Sequence, residues 1–85
     1  MAHEKLAEKL GDYFARLGAG KAHKIKPHDV ERVITKLRTR REDLREELAR
    51  KPEKAERLQH KIKAADELIA RAEWLRAELA GEHPD

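Results

Sequence analysis

The sequence predicts an all-α protein, an antiparallel helical hairpin of coiled-coil-like character with a short N-terminal amphipathic helix packed at its open end. Three observations lead there. Charged residues make up 44% of the 85-residue chain and aromatic residues only 4%, the composition of long solvated helices rather than of a globule with a deep core. Apolar residues recur at steps of three and four on both sides of Pro52, a spacing that only a helix gathers onto one face. Pro52 itself disfavours helical geometry at Lys51, so the two runs are joined by a tight turn and lie antiparallel.

Residues 4–17 carry Leu6, Leu10, Phe14 and Leu17 with Tyr13 alongside, a short amphipathic helix that Gly18 and Gly20 terminate. Gly11 weakens it slightly. Residues 18–27 form a basic, glycine-containing connector in which Lys21, His23, Lys24, Lys26 and His28 crowd around Ile25.

The first long arm, residues 28–51, shows Val30, Ile34, Leu37, Leu44 and Leu48 on one stripe, widened by Val33 and interrupted by Arg41. Its stem can lie along the seam while its guanidinium reaches Asp66 or Glu42. Asp29 suits the start of the arm, where a carboxylate meets unpaired N–H groups and the positive end of the helix dipole.

The second arm, residues 52–80, is the more regular of the two. Ala55, Leu58, Ile62, Ala65, Ile69, Ala72 and Leu79 share its stripe, and Leu68 and Leu75 broaden it. Pairing about a turn at Arg50 to Pro52 sets Leu44 near Leu58, Ile34 near Ile69 and Arg41 opposite Ile62. Trp74 lies off the stripe among Ala70, Ala77 and Gly81, a ring beside small residues that suits the docking of another helix. Ile25, Val30, Leu75 and Leu79 fall at the open end, where the N-terminal helix is expected to cover them. Gly81 and Pro84 stop the last helix, and residues 81–85 are expected to fray.

The whole is one small helical domain, near the size at which a single core gives marginal stability, so a homodimer or another protein partner is expected. With no Cys, disulfides and thiolate metal sites are excluded. With no Ser either, and Thr35 and Thr39 inside a helix as the only aliphatic hydroxyls, the sequence argues against covalent nucleophilic catalysis. No catalytic, cofactor-binding or metal site is assigned. His23, His28 and Asp29 match no zinc spacing. Gly18, Gly20 and Lys21 lack the rest of a phosphate-binding loop. Glu56 and His60 share a helix face at i,i+4, but a di-metal bundle uses Glu-x-x-His pairs and several inward acids, and the seam here is apolar. No apolar run is long enough for a membrane span and the start lacks a signal-peptide pattern, so a cytoplasmic protein without membrane or small-molecule substrate is expected.

Net charge is only +3 but unevenly spread: residues 21–41 hold eight bases against two acids. Lys21, Lys24, Lys26, Lys36, Arg38, Arg40 and Arg41, with Lys61 and Lys63 facing them, are therefore candidates for contacting phosphates or an acidic partner. Leu37, Leu44, Leu58, Ile62, Ile69, Trp74 and Leu79 are the candidates for core or interface. The expected function is that of a small non-enzymatic adaptor, regulator or assembly component binding a protein through helix faces. The alternative is a nucleic-acid-associated protein using the 21–41 region.

Overall fold

The structure, a computed structural model, describes residues 4–81. The expected frayed tail lies outside them, apart from Gly81. The fold is an all-α hairpin with a short N-terminal helix: α1 (Glu4–Gly18), α2 (Pro27–Arg50) and α3 (Ala55–Ala80), with 3-10 turns at Ala22–Lys24 and Pro52–Lys54. Helices α2 and α3 form a rod, and the molecule measures 46 × 25 × 19 Å.

Local chemistry explains the boundaries. α1 ends where Gly20 takes φ +75°, which lets its N–H reach the carbonyl of Leu17 while the N–H of Lys21 bonds that of Arg16 at 2.8 Å. This paired closure satisfies carbonyls that the helix end would otherwise leave open. Pro27 opens α2 at its first position, with Lys26 held extended before it. Lys26, not Asp29, is the cap residue, and Asp29 sits in the first turn. At the other end Lys51 leaves the helix ahead of Pro52, and Gly81 closes α3 with φ +69°.

The connector is more ordered than its glycines and charges suggest. A 3-10 turn over Ala22–Lys24 delivers Ile25 into the core, where it is only 3% exposed. Ile25 joins Leu6, Leu10 and Tyr13 of α1, Val30, Val33, Ile34 and Leu37 of α2, and Ile69, Ala72 and Leu75 of α3. Burying the apolar surface of all three helices at one end of the rod is what holds α1 in place.

Arg41 bonds Asp66 at 3.1 Å, a partner expected for it, and Arg76 bonds Glu31 at 2.9 Å across the same pair of helices. The second arm begins later than expected: Pro52–Lys54 is a 3-10 turn of the connection and not the first turn of α3. Arg38 and Glu73 form a third ion pair across the same interface.

Arg41 remains the irregular member of the seam. Its side chain is 26% exposed, and its Nε is buried without a hydrogen-bond partner. A desolvated donor left unmade costs free energy that one ion pair to a half-exposed Asp66 only partly offsets. Arg41→Met is therefore expected to stabilise the protein by about 1 kcal/mol, read from the urea midpoint. A loss of that size would instead make the Asp66 pair a net contributor.

Candidate functional site

The sequence-derived basic residues are spread over the connector, α2 and α3. Lys21, Lys24 and Lys26 are exposed on the connector, Lys36, Arg38 and Arg40 are exposed on α2, and Lys61 and Lys63 are exposed on α3. Arg38 and Arg41 turn toward α3 and are engaged by Glu73 and Asp66. Lys36 turns the other way, toward α1. Neighbours in sequence thus serve different faces, because successive helical positions point about 100° apart.

Of the apolar candidates, Leu37, Leu44, Leu58 and Ile69 are buried, Ile62 and Leu79 are half-buried, and Trp74 is exposed. Two clefts flank the buried stripe of α1, and between them they hold the features that could bind something.

The first cleft lies between α1 and α3. Ala7, Leu10, Gly11 and Phe14 form one wall and Leu68, Arg71 and Trp74 the other, enclosing about 480 Å³. A second hollow, with Glu4, Ala64 and Glu67, shares Ala7, Leu68 and Arg71 with it and prolongs it along the helices. The Phe14 and Trp74 rings stack with centroids 5.9 Å apart and 23° between their planes, so the N-terminal helix does dock beside Trp74. Even so, Trp74 stays 46% exposed, the one large apolar side chain so exposed among the described residues. A Cβ added at Gly11 would meet nothing within 4 Å, so the wall of the groove is open there.

The second cleft lies between α1 and α2 and is polar. Lys9, Tyr13, Asp29, Arg32, Val33 and Lys36 surround about 180 Å³. Tyr13 is only 8% exposed, with the Arg16 guanidinium 5.7 Å from its ring centroid. Burial pushes the Tyr13 phenol above its ordinary pKa, helped by the Asp29 carboxylate and to a lesser degree Asp12, and opposed by Arg16. The hydroxyl therefore keeps its proton at neutral pH and is a donor.

Sequence reading did not pick out Lys9, Arg32 or Gly11. The available signal was i,i+4 spacing, which places Lys9 beside Tyr13 and Arg32 beside Lys36. Nothing in the sequence brings those two pairs together across helices.

Among the described residues no helix is long and apolar enough to cross a membrane, and no group of three His, Asp or Glu side chains is placed to hold a metal ion. No protein-family model matches the chain, and neither a curated protein nor a solved structure matches it.

Proposed function

We propose that the protein is a small non-enzymatic helical interaction module that binds a protein partner through the groove between α1 and α3. The observation that carries this reading is the half-exposed Trp74, stacked on Phe14 at the edge of a continuous apolar groove. Tryptophan at a partly desolvated site is the residue type that most often anchors an interface. The groove is bounded by two helices and lined by Leu10 and Leu68, with small residues at Ala7 and Gly11 that let another backbone approach. Its occupant is an amphipathic helix presenting apolar residues at i, i+3 or i+4, and i+7, with an acid near Arg71.

The test is selection from a library of helical peptides, followed by titration against Trp74 emission, the chain having a single Trp. Selected peptides should be amphipathic and blue-shift the emission. In an anisotropy assay, which needs no intrinsic Trp, they should lose at least about tenfold in affinity to Trp74→Ala. Gly11→Gln supplies a folded, blocked variant: it adds a side chain to the open wall and improves helix propensity. Peptides that bind Gly11→Gln and Trp74→Ala as well as the parent would refute the groove. Sedimentation of the free protein separates a second copy of the chain from a foreign partner as the occupant.

A second reading, association with nucleic acid, is favoured by one observation. Lys21, Lys24, Lys26, Lys36 and Arg40 are exposed and make no ion pair among the described residues. It requires DNA or RNA affinity that falls steeply with salt and drops when Lys36 and Arg40 become Glu. Salt-independent or absent binding removes it.

A further inference from the structure

The polar cleft between α1 and α2 has no part in the groove reading, since it lies on the opposite flank of α1. It gathers three cations around one hollow. Arg38, Arg41, Arg45 and Arg76 are each engaged by an acid at Glu73, Asp66, Glu42 and Glu31. Lys9, Arg32 and Lys36 are not: none has an ion pair among the described residues, and all three line one small cavity. Charges of one sign held around a cavity are kept apart from counter-ions at a cost in repulsion, and an anion in their midst reverses that cost.

Tyr13 lines the same cavity with most of its ring buried, and its hydroxyl makes no hydrogen bond to another described residue. Its oxygen is open to solvent at the cavity, where it can donate to a bound acceptor in place of water.

We propose that the α1–α2 cleft is a binding site for a phosphate monoester group, held by Lys9, Arg32 and Lys36 with Tyr13 donating to one of its oxygens. Charge and size select this class. Three cations against the single carboxylate of Asp29 leave the cavity at +2. A phosphate monoester carries about −1.5 to −2 at neutral pH. A phosphodiester or a carboxylate, with one charge, would leave the cleft half neutralised. At about 180 Å³ the cleft is smaller than the ~300–1,000 Å³ of sites that enclose a whole small molecule, so it takes the charged group and leaves the rest of its bearer outside. Arg32 offers a planar pair of donors and the two lysines act as point charges, a usual division of labour around phosphate.

The experiment is a 15N–1H NMR titration of the full chain with inorganic phosphate at constant ionic strength, with chloride as the reference. Saturable shifts confined to the amides of Lys9, Tyr13, Arg32 and Lys36 are expected. Arg32→Gln and Lys36→Gln should each weaken binding about tenfold, the worth of a charge-assisted hydrogen bond. Tyr13→Phe, which leaves the fold intact because the hydroxyl bonds no protein group, should weaken it several-fold. Arg57→Gln, remote on α3, should change nothing.

A phosphoserine tripeptide then identifies the source. Tighter binding than inorganic phosphate marks a phosphorylated side chain, and equal or weaker binding marks a free phosphorylated small molecule; both support the site. Unsaturable shifts spread over all basic residues, or unchanged affinity in Arg32→Gln and Lys36→Gln, would overturn it. Tighter binding of short single-stranded DNA through the same residues would overturn the monoester assignment in favour of a nucleic-acid backbone. None of these outcomes bears on Trp74, so success or failure here is separable from that of the groove.

Discussion

Replacing Leu37 by alanine should remove about 2–5 kcal/mol of folding free energy, measured by urea unfolding of the helical circular dichroism signal. Leu37 is fully buried in the middle of α2, in the cluster where α1, α2 and α3 meet. Truncation there leaves a cavity that rigid helices on three sides cannot close, so the loss belongs toward the upper part of the range. A domain of this length has about 4–13 kcal/mol in total, at 0.05–0.15 kcal/mol per residue. One side chain therefore decides whether the chain is mostly folded at physiological temperature. Ile62→Ala is the internal comparison. Ile62 is half-buried in the two-helix part of the rod, so its truncation should cost clearly less. Equal losses at the two positions would mean that the three-helix end is not the core.

Leu10→Asp should destabilise by more than about 3 kcal/mol and should do so by detaching α1. Leu10 is 2% exposed, and the replacement places a carboxylate there with no cation facing it in the core cluster. Such a group either drags water in or forces the helix away. With α1 released, Val30, Val33 and Leu75 lose their cover, and Trp74 loses the stacked Phe14. The emission of Trp74 should then move to the red at denaturant concentrations where the parent is still folded. A variant with the parent's emission and urea midpoint would show that α1 contributes nothing to the stability of the hairpin.

Both predictions concern the end of the rod where sequence and structure agree in kind and differ in detail. The stripe on each helix was readable because a buried helix face repeats every 3.6 residues, and the residues between the stripes are charged. That α1 covers the open end followed from the same logic: Ile25, Val30, Leu75 and Leu79 have apolar surface there and no other element to bury it against. The start of the second helix did not follow. Pro52–Lys54 forms a 3-10 turn ahead of α3, a choice between two nearly equivalent hydrogen-bonding patterns.

The two candidate sites separate along the same line. Trp74 beside small residues was legible as a surface suited to another helix, and Phe14 of α1 occupies part of it. What the sequence left open is how much of the ring α1 covers, since that depends on the tilt at which a short helix meets two longer ones. The polar cleft between α1 and α2 was not legible. Lys36 stood in a basic run with Arg38, Arg40 and Arg41, yet it is grouped in space with Lys9 and Tyr13 of another helix.

By itself the sequence determined the helical class, the point of reversal to within a turn, which face of each helix is buried, and the absence of cysteine and serine chemistry. These depend on periodicity, proline and composition, all of which act within a few residues along the chain. Only the tertiary structure decided which cations are paired by acids and which converge unpaired, how far Trp74 stays exposed, and that Ile25 enters the core. Those outcomes depend on the relative rotation and register of three packed helices, which sum small packing terms over the whole interface and are not encoded at any one position.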